Sequence, residues 1–184
     1  MIIVRSPLRV SFVGGGTDRP EFFDLHSLGS TCSVTVDKFV YAIVNKPNFL
    51  KRMRISYKNT IENVFDVEDI QHTIIRDTLL SYEVDEPIEI ITAADMPGTG
   101  TGLGSSSALC VALCLALTKM GYKGINTRSD IAETAYSIER KQVNLGKQDQ
   151  YAAAFGGFRQ YTFNKSKEHA DVSDDSMAID EFWP

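Results

Sequence analysis

A chain of 184 residues, 43% hydrophobic and 23% charged, with 13 glycines and 6 prolines, is long enough for one domain with its own core. That balance excludes a collagen-like, wholly disordered or disulfide-stapled protein. The formal charge of −5 sits mostly in the acidic last 21 residues, and no basic excess of the kind a nucleic-acid binder carries is present.

The opening third reads as β-structure. Ile2–Val4 and Arg9–Val13 are strand-like runs split by Pro7, a short helix is predicted over Pro20–His26, and strands follow at Thr31–Val36, Phe39–Asn45 and Arg52–Tyr57. The basic cluster Lys46, Lys51, Arg52, Arg54 and Lys58 alternates as the wet face of a strand does. The period then becomes helical over Asp69–Ser81, returns to a strand at Pro87–Asp95, and becomes helical again over Ser105–Met120 and Thr127–Val143. A short helix near Gln150–Phe155 and a last strand, Phe158–Phe163, complete an α+β order. Residues 164–184 read as an acidic tail on the domain spanning 1–163.

Three cysteines, two of them (Cys110 and Cys114) inside an apolar segment, read as reduced core thiols of a cytoplasmic protein. His26, His72 and His169 stand at no zinc-ligand spacing from them. The opening residues do not read as a secretory signal. The longest uninterrupted apolar run, Ala108–Leu117, has ten residues, whereas a membrane span needs about twenty, so no membrane partner is expected.

The chemistry concentrates in residues 95–121, where Gly98, Gly100, Gly102 and Gly104 precede Ser105, Ser106 and Ser107 and a run of helix formers. Alternate glycines let successive N–H groups curl around an anion, and a helix N-terminus adds unpaired donors and a positive dipole end. The serine hydroxyls suit Mg²⁺, which prefers oxygen. Neither GxxxxGK[ST] nor GxGxxG fits the spacing, and a flexible turn before a core helix is the plainer alternative.

"PGTGTGLGSSSA" resembles the phosphate-binding motif of the GHMP kinases. "SPLRVSFVGGGTD" (6–18) and "IERKQVNLGKQDQYAAAFGGF" (138–158) are similar to two further motifs of that family, in the expected order. The combination is most similar to the heptose 7-phosphate kinase branch. The resemblance covers residues 1 to about 163 and implies a GHMP-kinase N-terminal domain, with a mixed or antiparallel sheet and helices on one face. It implies transfer of the γ-phosphoryl of ATP, with Mg²⁺, to the anomeric hydroxyl of a sugar phosphate; galactose- or fucose-type substrates and a non-catalytic binding remnant are the alternatives.

By resemblance Pro97, Gly98, Gly100, Gly102, Leu103, Gly104 and Ser105–Ser107 hold nucleotide phosphates, and Ser106 and Glu139 bind magnesium. Asp149 is then base or orienting carboxylate, Arg9 stabilises the transferred group, and Thr17, Asp18 and Gln148 meet the sugar. Read without the family, Asp149 is an N-cap for a helix beginning at Gln150, Glu139 an exposed partner of Arg140 or Lys141, Arg9 an outward strand residue, and Thr17-Asp18 a polar turn. Two departures stand out. Pro97 is followed by four residues before Gly102 where the family has three, and no second, C-terminal domain follows Phe163. The bare face predicts a homodimer or pairing with a separate C-terminal-half chain.

Overall fold

The computed structural model describes residues 1–97 and 101–173. Their framework is one seven-stranded sheet, organised around its longest strand. That strand, β2 (Leu28–Asn45), runs antiparallel along the whole of β1 (Ile2–Val13) on one edge. On its other edge it pairs with β6 (Phe158–Asn164) through residues 28–34 and with β5 (Glu89–Ala94) through residues 40–45. Beyond β5 lie β3 (Met53–Tyr57), parallel to it, and β4 (Thr60–Val64); beyond β6 lies β7 (Asp171–Val172).

Two of the breaks read from the sequence are the two sides of one bulge instead. β1 continues through Pro7, where the register shifts: Pro7 faces Phe39 while Leu8 faces Val36. Pro7 has no N–H to give the ladder, and an edge strand at a bulge tolerates that. Asp37 and Lys38 are the extra residues on β2, so one 18-residue strand replaces the two expected. Along β2 the inward side also changes parity, from Gly29, Thr31 and Ser33 to Val40, Ala42 and Val44. β4 and β7 have no counterpart among the expected elements; β4 returns through a tight turn at Lys58, whose φ is +49°.

The helices are α1 (Pro20–His26), α2 (Thr73–Ser81), α3 (Ser105–Lys119), α4 (Arg128–Glu139) and α5 (Gln148–Phe155). α2 starts later than its periodicity suggests, because Val67–Asp69 forms a separate 3₁₀ turn and His72 caps the helix. α4 begins with a complete Thr127–Asp130 capping box and ends at Glu139, four residues short of the expected limit. α3 is buried nearly all round: it crosses β1 and β2 and is enclosed by α2, α4 and α5. Cys110 and Cys114 lie fully buried on it as free thiols. Ala42, Val44, Ile55 and Ile90 supply the sheet's side of this core. Phe23, Tyr151, Tyr161 and Phe163 form a second cluster under α1 and α5. Each fully buried aliphatic side chain here contributes about 1.5–3 kcal/mol. No described helix is long and apolar enough to cross a membrane.

Candidate functional site

Three element ends meet at one point: the N-terminus of α3, the C-terminus of α4 and the N-terminus of α5. Gly104 caps α3 with φ +74°, a conformation that favours glycine, and offers no side chain to the helix donors. A Cβ on Gly104 would lie 3.1 Å from Asp149 Oδ2, so the carboxylate stands directly against the helix mouth. By helix geometry the first-turn N–H groups point out of this end without intrahelical acceptors.

Asp149 is not the N-cap of α5; Lys147 holds that position, and Asp149 sits in the first turn with its carboxylate turned to Arg9. Arg9 Nε donates to Asp149 Oδ1 at 2.8 Å, Nη2 approaches the same oxygen at 2.6 Å, and Nη1 donates to the Gly102 carbonyl at 2.6 Å. The Arg9 N–H also donates to the Leu103 carbonyl. Arg9 thus points inward from β1 and ties the glycine loop to α5. Burial pushes the Asp149 carboxyl above the ordinary aspartate range, and the Arg9 cation pulls against that.

Glu139 ends α4 with only 4% of its surface exposed, and it is not the solvent partner of Arg140 or Lys141. Its Oε2 accepts from Gln150 Nε2 at 2.6 Å, and the same amide group donates to Ser107 Oγ at 3.2 Å. Burial raises the Glu139 carboxyl above its usual range against hydrogen bonds from Gln150, Ser107 and Ser106. Gln150 Oε1 is buried with no hydrogen-bond partner. A buried carboxylate, an orphaned amide oxygen and serine hydroxyls make an all-oxygen donor set, which fits Mg²⁺. Among the described residues no cluster of three or more His, Cys, Asp or Glu side chains could cage a metal alone, so such an ion would need phosphate oxygens to complete its shell.

The triple-glycine loop lies beside these groups through Asp18, which is 4% exposed. Asp18 Oδ1 accepts from the Gly16 N–H and Oδ2 from the Gln148 N–H, so it fastens the loop to the start of α5. The one Thr17 hydroxyl proton lies between the Gly14 carbonyl at 2.8 Å and the Ser30 carbonyl at 2.9 Å, and its oxygen accepts from the Ser30 N–H, so the group ties the turn to β2. Gln148 Oε1 takes the Ser11 hydroxyl. Gly98 and Gly100, and the extra residue of that loop, lie outside the described residues.

A family model, GHMP kinases N terminal domain, matches residues 67–157. The chain carries a GHMP kinase N-terminal domain. It is 29% identical over 184 residues to the D-glycero-alpha-D-manno-heptose 7-phosphate kinase of Campylobacter jejuni, covering 90% of this chain and 52% of the relative. A crystal structure of a D-glycero-D-manno-heptose 1-phosphate kinase from Bacteroides thetaiotaomicron superposes with a TM-score of 0.82 at 27% identity, covering 94% of this chain and 59% of that one. The phosphomevalonate kinase of Streptococcus pneumoniae, solved with phosphomevalonate and AMPPNP, shares the fold at a TM-score of 0.72 and 14% identity, over 95% of this chain and 59% of that one. The chain therefore spans about half the length of the curated relative it matches.

On the other side of the α3 terminus the GHMP kinase domain opens a cleft of about 740 Å³, lined by Ser105, Ser106, Pro97, Met96, Tyr57 and Lys58 among others. Its walls are mixed: Val40, Ile74 and Leu109 are apolar, while Tyr57 and His72 meet edge to face at 4.6 Å. Burial lowers the His72 pKa, and its Nδ1 accepts from the Ile75 N–H at 3.5 Å. The basic cluster divides here. Arg54 pairs with Glu89, Lys46 with Glu86, and Arg52 lies over Phe65 on the wet face, as its alternation implies. Lys58 lines the cleft. Sequence reading assigns Lys58 to the wet face of a strand and misses Gln150; the tight turn before β4 and the helical phase pairing Gln150 with buried Ala153 are the available signals.

Proposed function

We propose that this domain is the nucleotide- and substrate-binding half of a kinase that transfers the γ-phosphoryl of ATP to the anomeric hydroxyl of a heptose 7-phosphate-like sugar. The observation that carries the reading is the convergence of Asp149, Glu139 and the α3 N-terminus at one point. The two heptose phosphate kinases it resembles suggest the sugar. The active protein would be intracellular and completed by a C-terminal half, in the same chain or a partner.

The helix N–H groups and the Gly102–Gly104 turn bind the polyphosphate, where fixed dipoles act without reorganising. The adenine enters the 740 Å³ cleft beside Tyr57 and His72, with Lys58 as its available cation. Mg²⁺, when bound, neutralises charge on the phosphate oxygens; Glu139 and Ser106 would hold it, with Gln150 keeping the Glu139 carboxylate oriented. The sugar lies toward the Gly14–Gly16 loop, near Thr17, Asp18 and Gln148. Its hydroxyl gives its proton to Asp149 as the new O–P bond forms, the bond from the γ-phosphorus to the bridging oxygen breaks, and ADP leaves with that electron pair. Arg9, fixed by Asp149 and the Gly102 carbonyl, offers positive charge to the transferring group.

Incubating the chain with ATP, Mg²⁺ and a panel of sugar phosphates, with ³¹P NMR of the mixture, tests the reading. A new sugar-1-phosphate resonance with stoichiometric ADP supports it. Nucleotide binding with no product from any sugar, even after addition of a relative's C-terminal half, would leave a binding module and refute the kinase.

A further inference from the structure

A second pocket, of about 490 Å³, lies at the far end of α3 from Gly104. The 15 residues of α3 span about 22 Å, so this pocket is well removed from the candidate site. The helices that meet at the site reach the pocket with their other ends: α3 through Val111, Leu115 and Lys119, α4 through Arg128 and Ile131, and α5 through Phe155. Residues 4–7 of β1 close it. These walls are fastened to one another. Ser6 Oγ on β1 donates to the Ala153 carbonyl of α5 at 3.2 Å, and Arg128 Nη1 on α4 donates to the Phe155 carbonyl at 3.1 Å. The cavity is therefore preformed, and its volume falls within the roughly 300–1,000 Å³ that small-molecule sites occupy.

Its charge is one-sided. No Asp or Glu among the described residues lines it, whereas Lys119 and Arg128 do, both of them exposed. Among the described ion pairs neither cation has a carboxylate partner. Arg5, the third cation of the lining, is engaged over the Phe39 ring. Helix dipoles do not decide the sign, because the carbonyl end of α3 and the amino end of α4 meet here and offset each other. The positive character comes from the Lys119 and Arg128 side chains. At the start of α4 the capping box already engages the Thr127 and Asp130 N–H groups. The backbone therefore offers no open cradle for a phosphate, and a carboxylate is the head group that two side-chain cations suit.

We infer that this pocket binds a small organic acid with a compact apolar body, the body against Val111, Leu115 and Ile131 and the carboxylate paired with Lys119 and Arg128. A free inorganic anion would gain nothing from the floor, and an apolar body alone would leave both cations unpaired. Affinity thus needs both parts on one molecule. Such binding is independent of the cleft lined by Ser105 and Ser106, which lies at the opposite end of α3.

Titrating 2-naphthylacetate into the ¹⁵N-labelled chain, with 2-(2-naphthyl)ethanol as the uncharged comparison, reads this in the amide spectrum. The acid shifts amides within residues 4–7, 118–119, 127–131 and 153–156, leaves those of Ser105 and Ser106 in place, and binds at least about tenfold more tightly than the alcohol. Lys119→Glu combined with Arg128→Glu, at two exposed positions, abolishes the preference for the acid with the circular dichroism unchanged, and Lys119→Arg keeps it. The comparison of acid with alcohol needs no variant. Absence of a saturable shift with the acid, equal affinity for acid and alcohol, or shifts confined to the Ser105–Ser106 cleft overturns the inference. A preference for the acid that survives the charge reversal overturns it too.

Discussion

Asp149 carries two opposing influences. Its burial disfavours the carboxylate, while Arg9 at hydrogen-bond distance favours it. As a base it must be ionised, so turnover falls as pH drops through its raised value, higher than for an exposed aspartate. Arg9→Gln removes the cation and moves that acid limb of the kcat/KM profile to still higher pH. Asp149→Asn lowers turnover by about 10²–10⁴-fold while ATP affinity stays near wild type. Unchanged turnover in that variant removes Asp149 from the reaction. Glu139 makes the complementary case. Its folded pKa is raised, so its ionised form is penalised at neutral pH and the penalty fades as pH falls through the raised value. Glu139→Gln therefore stabilises the metal-free chain at pH 7, by about 2–4 °C in Tm for each kcal/mol relieved, while it abolishes the response to Mg²⁺. A melting curve with and without Mg²⁺ checks both halves. On the proposed reading Glu139 serves function at the expense of stability. The sequence motif singles out both carboxylates; it does not show that Gln150 links Glu139 to Ser107, because a buried glutamine leaves no pattern of its own in one sequence.

Among the elements, the cap of α3 decides most. Gly104→Ala puts a methyl group 3.1 Å from Asp149 Oδ2 on a backbone at φ +74°. The left-handed conformation costs roughly 1–2 kcal/mol for a residue with a Cβ, and the carboxylate must also give way. The expected outcome is a modest loss of stability and a drop in turnover of at least about tenfold, given that near-attack geometry is sensitive to displacements of ~1 Å. Steady-state kinetics beside a urea titration separates the two effects. By contrast Thr127→Ala, which breaks the capping box at the far end of α4, costs about 0.5–2 kcal/mol of stability and leaves KM for ATP unchanged. Helices were legible at this scale because apolar period and caps are local signals: α1 starts and stops where Pro20 and His26 suggest. Strand continuity was not. Pro7 and Asp37-Lys38 look like breaks in sequence, and only their shared register across β1 and β2 shows them to be one bulge.

For the molecule as a whole, the sheet leaves Ile3, Phe12, Val13 and Leu28 well exposed, and the chain spans 52–59% of the heptose kinase relatives. An apolar surface of this kind favours association. Adding the C-terminal half of a relative should raise phosphoryl transfer and lower dye binding to exposed apolar surface together; a change in neither contradicts the half-enzyme reading. The fold class was readable from the order of periods. The site was readable only as three separated motifs, since nothing in the sequence alone says that residues 9, 104, 139 and 149 lie together.

The account rests on a phosphate-bearing helix end that shares its metal with Glu139. Calorimetric titration of ATP into the wild-type chain and into Glu139→Gln, each with Mg²⁺ and with EDTA, reads this directly and needs no second substrate. Mg²⁺ should tighten ATP binding at least about tenfold, or 1.4 kcal/mol, in the wild type and have almost no effect in the variant. An equal Mg²⁺ effect in both proteins, or no ATP binding in either, would contradict it.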